Sequence, residues 1–435
     1  MTTTTNPVSE FFNQDVIEDP YPTYEKLRSQ GPVAYVDSLD AYMVTGHAEC
    51  MTAMRNHDVF RQWDGSELNA INPDVAEELA EMFGVDAETA QKGGLRGIAS
   101  TSGFGLMVDT LVTANPPEHT RYRHVTNQAW SAKRTAVDAE PRIREVTNFL
   151  VDDFAGSGKV EFMSSFAAPM PSLVISEILG LPKEDWTKFK EWSDVGLTLL
   201  GGNLERDQVR AAVTAMMNLT AYLGAAIETR RSESTDDALS ALLRAKDRDG
   251  VGLEQQELLS IALHLLGAGH ETTINAMGNM MWLILRDAEV RDAILADRSL
   301  IPNAVNESLR LEAPVQFLFR QTSEASTLGG TEVPGDAKVC LIFAAANRDP
   351  AVFPDPDRFD LHRENSRHHV SFGFGIHRCI GEPLSIKELE LAVDTLLTRL
   401  PDLQLHPDQS FDHNPHPFLR RFKELQLTYG SSVAS

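Results

Sequence analysis

Residues 372–381 read FGFGIHRCIG and lead directly into EPLSIKELELAVDTLLTRL, a run with helical spacing. The pair decides how the rest of the chain is read. A cysteine just before a helix meets free amide N–H groups and the positive end of the helix dipole, which favour the thiolate. Pro383 suits the first turn, where its missing N–H is not needed. Gly373, Gly375 and Gly381 let the backbone approach something flat and bulky, or adopt positive φ. A lone Cys-x-Gly is usually a buried free thiol. The full pattern Phe-Gly-x-Gly-x-His-x-Cys-x-Gly specifies too many positions for that.

A thiolate presented this way can serve as axial ligand to haem iron, where it promotes O–O cleavage. On this pattern the chain resembles the cytochrome P-450 family, the haem-thiolate monooxygenases of the soluble bacterial kind. The resemblance implies that Cys379 is the proximal ligand of haem b, with Phe372, Gly373 and Gly381 shaping the cofactor cradle. The following helix departs mildly from the family's Gly-x-x-Leu-Ala-Arg-x-Glu. Gly381, Leu384 and Glu388 match, whereas Ser385 and Ile386 replace Ala and Arg.

The resemblance extends upstream. Glu307 and Arg310, in ESLR, share a helix face, and NRDPAVFPDPDRFDLHR follows before the cysteine loop. In the family such a pair forms a buried triad with the arginine of Pro-x-Arg-Phe, which implies Arg358. The haem propionates need cationic or donor partners. The family places these at His119 and Arg123 (in NPPEHTRYRHV, 115–125), Arg320 and His377. Arg121 and His124 fall on other helix faces and receive no role.

Residues 258–285, LLSIALHLLGAGHETTINAMGNMMWLIL, predict a long helix over about 254–285 with a polar notch at its centre. His270-Glu271 opens like the zinc-protease motif H-E-x-x-H, but Ile274 stands where the second ligand belongs. By resemblance, Ala268 to Thr273 is the oxygen-activation motif Ala-Gly-x-Asp/Glu-Thr. It implies that Ala268 borders the haem, that Thr272 donates a hydrogen bond to bound dioxygen, and that Glu271 relays protons, a general-acid role. A helical glycine costs roughly 1 kcal/mol, so Gly267 and Gly269 suggest a close approach. His270 should face away, in packing or a hydrogen bond.

Bulk properties agree. The chain has 435 residues, 42% of them hydrophobic, and a net charge of −24. That charge argues against nucleic acid and anionic membrane surfaces as partners. Three scattered cysteines fit a reducing cytoplasm, and MTTTTNPVSEFFNQ has no secretory pattern. Mainly helical periodicity from Pro117 to about Ala313, small β pieces near both ends and no linker predict a mainly α fold with small β-sheets. One domain spans residues 1–435, with a flexible N-terminus over about 1–15 and an irregular, substrate-covering segment over about 61–113.

Because the chain is the length of a haem domain alone, the resemblance implies external electrons. A ferredoxin or flavodoxin with an NAD(P)H-dependent reductase would supply them, with Arg367, His368, Arg378 and Lys387 as a docking face on a monomer. The implied reaction is hydroxylation or oxidative dealkylation of a small, mostly apolar substrate by dioxygen. The pocket is expected near Leu95, Ile98, Phe104 and Met107, near Leu197, Leu199 and Leu200, and near Ala268, Val315, Phe317 and Phe418. The rival readings are a peroxide-driven peroxygenase and a haem-binding sensor without turnover. Retention of Glu271-Thr272 argues against both.

Overall fold

The structure is a computed structural model in which residues 13–63, 73–86, 111–198, 206–233, 235–416 and 418–430 are described. Helices dominate, as the periodicity predicts. The longer ones that matter here are α1 (Glu118–Ala129), α2 (Ala132–Phe154), α3 (Arg206–Ser232), α4 (Gln255–Leu285), α5 (Ile301–Leu311) and α6 (Glu382–Arg399). By backbone contact the chain falls into two compact units, one holding Gln62–Ser131 and Ser176–Ala268, the other Phe11–Arg61, Ala132–Ile175 and Gly269–Ser435. Helix α4 runs 31 residues without interruption and contributes to both.

In the first unit, α3 packs on the helices Trp186–Leu197 and Ala238–Arg244, and α1 packs on the latter. The unassigned Arg121 has a structural task. It bonds Asp247 at 2.9 Å, Glu257 at 2.6 Å and the Gly252 carbonyl at 2.7 Å, tying α1 to the start of α4. The segment 61–113 is not irregular throughout, because Pro73–Phe83 is helical and packs on α3. Its Leu79 is buried, and its buried Glu78 receives Arg206 at 2.6 Å and also Arg210. A carboxylate taken out of water needs such cations.

In the second unit α6 lies against α2. Leu389, Ala392, Val393, Leu396 and Leu397 recur at helical spacing and form its buried stripe. Five strands make the larger sheet: β1 (Val33–Val36), β2 (Ala41–Val44), β3 (Phe60–Gln62), β4 (Leu318–Thr322) and β5 (Lys338–Leu341), in the order β1-β2-β5-β4-β3. The hairpin β1–β2 is the one expected from the sequence. Its parallel pairing with β5, Ala41 opposite Lys338 through Val44 opposite Leu341, joins segments some three hundred residues apart. The C-terminal strand Gln426–Thr428 pairs with Lys159–Glu161 and Gln404–Leu405.

At the N-terminus, Asn13 caps a helix over Gln14–Glu18 by accepting from Val16 N; residues 1–12 lie outside the described ones. No helix among the described residues is long and apolar enough to cross a membrane.

Candidate active site

Three features of the cysteine loop follow from its sequence. Gly373 and Gly375 sit at φ +65° and +72°. At Gly375 a Cβ would lie 2.5 Å from the Met54 carbonyl, so only glycine lets the loop press against the helix His47–Arg55. Cys379 N donates to Phe372 O at 2.9 Å and closes the loop. Gly381 caps α6, Glu382 and Pro383 fill its first turn, and Cys379 stands two residues before that cap. Cys50 and Cys340 are buried, whereas Cys379 is exposed. The thiol predicted to bind a metal is the accessible one.

A polar network holds the loop from α5. Glu307 accepts Arg310 Nε at 2.7 Å and Nη2 at 2.9 Å, with both side chains fully buried. The third cation is not Arg358. Arg363 Nε donates to Glu307 at 3.0 Å, while Arg358 is exposed and offers only its carbonyl, to Arg310 at 3.0 Å and to Arg363 at 3.2 Å. The chain turns between Pro354 and Arg363, and that turn brings Arg363 inward; the Pro-x-Arg-Phe spacing does not encode it. Burial pulls the Arg310 guanidinium below its ordinary range, and its hydrogen bonds to Glu307 oppose that. Arg310 also donates to Asn347 O at 3.1 Å. Asn347 in turn accepts Val370 N at 2.7 Å and donates to Ser371 Oγ at 2.8 Å, immediately before the loop. Sequence reasoning missed both Asn347 and Arg363.

On α4, His270 is fully buried. Ala268 is exposed and Thr272, one turn on, is half-buried, in a helix otherwise closed from Thr273 to Met281. One face of the notch is therefore open. Gly269 has a packing reason of its own, since a Cβ there would come within 3.0 Å of Ile175. Glu271 is 7% exposed and accepts Arg421 Nη1 at 2.8 Å. Thr273 Oγ1 donates to Ser385 Oγ at 3.1 Å, so the serine that departs from the family's alanine links α4 to α6.

Arg320 supplies the clearest test of whether these residues suit haem. It is 5% exposed, it forms no ion pair among the described residues, and burial pulls its guanidinium down to about 10. A buried cation without an acid is costly, and a propionate would relieve that cost. An accessible thiol at a helix start and an open face on α4 complete a set that fits the group. His119 is buried and Arg123 half-buried, one turn apart on α1.

Val315, Phe317 and Phe418 are brought together. Val315 bridges Leu419, Gln316 N donates to Phe418 O at 2.8 Å, and the rings of Phe317 and Phe418 meet edge-on with centroids 6.3 Å apart. Leu95, Ile98, Phe104, Met107, Leu199 and Leu200 lie outside the described residues; Leu197 ends its helix. Of the expected docking charges, Arg378 pairs with Glu382 at 2.6 Å and Lys387 with Glu390 at 3.4 Å and Glu140 at 3.7 Å, so two of the four are offset locally.

Residues 98–429 match the family model for cytochrome P-450. The chain belongs to that family: it is a haem-thiolate monooxygenase with haem b as cofactor, acting on a small organic substrate with electrons from a redox partner. It is 34% identical to the cytochrome P-450 monooxygenase PikC of Streptomyces venezuelae, covering 98% of this chain and 96% of that one. It is 35% identical to the 6-deoxyerythronolide B hydroxylase of Saccharopolyspora erythraea, covering 94% of each. A solved structure of the P-450 BioI, bound to an acyl carrier protein carrying hexadec-9Z-enoic acid, superposes with a TM-score of 0.81 at 29% identity, covering 96% of this chain and all of that one.

Proposed function

We propose that the whole chain works as one cytoplasmic haem domain, with Cys379 as the thiolate ligand, Glu271 and Thr272 as the proton-handling pair, and His119, Arg123, Arg320 and His377 as partners of the propionates. When bound, the haem supplies the iron chemistry of oxygen activation. The chain does the rest. The Glu307–Arg310–Arg363 cluster and Asn347 fix the approach to the cysteine loop, so the thiol is presented at one place. Thr272 offers its hydroxyl on the open face of α4. Glu271 takes up a proton at its carboxylate and passes it toward that hydroxyl. Val315, Phe317 and Phe418 exclude water and orient the substrate by shape.

This wall favours a largely apolar molecule undergoing hydroxylation or oxidative dealkylation. The names of two relatives, the 6-deoxyerythronolide B hydroxylase and a mycinamicin IV hydroxylase/epoxidase of Micromonospora griseorubida, support hydroxylation as the reaction. A ferredoxin, or a flavodoxin, with its NAD(P)H-dependent reductase completes the reading. The observation that carries it is the accessible Cys379 thiol at the start of α6, in the same unit as the buried, acid-free Arg320.

The test is the difference spectrum of the reduced protein with carbon monoxide. The wild type shows the strongly red-shifted Soret band of thiolate-ligated haem, and Cys379→Ser loses it. Persistence of that band in the variant refutes the ligand assignment. Titration with apolar candidates, read as a substrate-induced spin-state shift, identifies the substrate class.

A further inference from the structure

The hairpin 413–422 carries Phe418 to the candidate pocket, and its two arms are held by different parts of the chain. Its ends meet where His413 bridges Phe422. The inner arm pairs with 314–316: Gln316 N donates to Phe418 O at 2.8 Å, and Arg420 N donates to Pro314 O at 3.0 Å. The outer arm instead meets the N-terminal helix Gln14–Glu18. Glu18 Oε2 accepts both His413 N and His413 Nδ1, each at 2.9 Å, so one carboxylate oxygen takes the backbone and the ring of the same residue. Its other oxygen accepts Gln14 Nε2 at 2.6 Å. Arg420 closes the contact by donating to Ile17 O at 2.9 Å and to Glu18 O at 3.2 Å, at the carboxyl end of that helix.

The charges suit a lasting contact. Burial raises the Glu18 carboxyl, but its hydrogen bonds from His413 outweigh this and leave the acid below its ordinary range. Burial, and then Arg420, lower the His413 imidazole, so the neutral ring gives its Nδ1 proton to the carboxylate. Hydrogen bonds to an ionised acceptor are the stronger kind. The His413 ring is 5% exposed and lies against Phe422, with ring centres 4.4 Å apart. From His413 the outer arm leads to the pocket wall. His416 N donates to Asn414 O at 2.7 Å, His416 Nδ1 accepts Leu419 N at 3.2 Å across the tip, and the His416 ring meets Phe418 edge-on at 4.5 Å. Strand alternation turns Leu419 the opposite way from Phe418, and Leu419 shares a small cleft with Val16 and Ile17 of the N-terminal helix.

We propose that Glu18 is a positioning residue for substrate selection: from the N-terminal helix it fixes the outer arm at His413, and through His416 this sets how far the Phe418 ring stands into the pocket. The inference rests on the reading that Phe418 lines the pocket. Glu18 lies on the face of the hairpin away from Phe418, so it acts through the protein and not on the substrate. With the contact intact, the wall stands forward and limits the bulk of an apolar ligand. Once it is released, the ring retreats toward the cleft beside Leu419 and bulkier ligands are admitted.

The experiment compares Glu18→Ala, Glu18→Gln, Phe418→Ala and the Glu18→Ala/Phe418→Ala double variant as holoenzymes. The probes are imidazole, phenylimidazole and biphenylimidazole, which bind haem iron through nitrogen and reach progressively further from it. Kd for each is read from the Soret shift, and the carbon monoxide difference spectrum checks that thiolate-ligated haem is intact. Glu18→Ala is expected to leave imidazole affinity unchanged. It should tighten biphenylimidazole relative to imidazole roughly fourfold, the scale of burying one further methylene. Glu18→Gln keeps an acceptor oxygen at the same reach and returns this ratio toward the wild-type value. Phe418→Ala raises the same ratio, and adding Glu18→Ala to it changes nothing further, because the two act through one contact. An unchanged or lowered ratio in Glu18→Ala, an equal change across all three probes, loss of the carbon monoxide band, or additive effects in the double variant overturns the inference, while a raised ratio in Phe418→Ala keeps the pocket assignment. A ratio unmoved by Phe418→Ala overturns both.

Discussion

At the scale of single residues, the chemistry lies in side chains that break the pattern around them. Thr272 is half-buried between buried neighbours, and Cys379 is the exposed thiol of three. Both stood out in the sequence because a helix gains nothing from an alcohol beside an acid and two glycines, nor a loop from three glycines around a cysteine. Thr272→Ala removes the hydroxyl at the open face but leaves the Cys379 loop untouched. The variant is expected to consume NAD(P)H at near the wild-type rate while forming less product and more hydrogen peroxide, measured as product and peroxide per NAD(P)H. Tight coupling in this variant would count against the relay. Arg358 shows the opposite lesson. It sits in the right motif, but its side chain points to solvent and only its carbonyl takes part.

At the scale of elements, the segment between α5 and α6 behaves as a strut. Glu307 gathers Arg310 and Arg363, Arg310 reaches Asn347, and Asn347 holds Val370 and Ser371 at the entrance to the cysteine loop. Removing one member of a buried ionic cluster leaves the others uncompensated, at a cost of about 3–5 kcal/mol. Arg363→Ala is therefore expected to lower stability by that order and to weaken haem retention. Arg358→Ala, an exposed change that keeps the carbonyl, should stay within about 0.5 kcal/mol of the wild type. Chemical denaturation of the two variants checks this, and equal losses would return the triad role to Arg358.

At the scale of the whole molecule, α6 carries an unusual internal charge risk. Glu388 is buried, neither carboxylate oxygen has a hydrogen-bond partner among the described residues, and burial raises its carboxyl well above the ordinary range. The folded protein thus keeps a proton that the unfolded chain releases above about pH 4.3. Its stability contribution is full below that point and declines as pH rises toward the folded value. Glu388→Gln removes the titration, so the variant's melting temperature should gain on the wild type's between about pH 5 and about pH 8. Parallel curves over that range would show that Glu388 does not titrate differently on folding.

Much of this protein was determined by its sequence alone. Helical periodicity, the hairpin β1–β2, the ordered motifs around Glu271, Glu307 and Cys379, and the family they define are all local, since 3.6-residue spacing and short-range geometry are written along the chain. The tertiary structure decided what depends on separation: the parallel join of β2 to β5, the choice of Arg363 over Arg358, the helix Pro73–Phe83 settled on α3, and the reach of Arg421 back to Glu271. In each case the partners are set by where turns deliver a side chain in space. A buried charge selects its counter-ion by distance and solvent exclusion, and neither quantity is a property of the sequence interval between them.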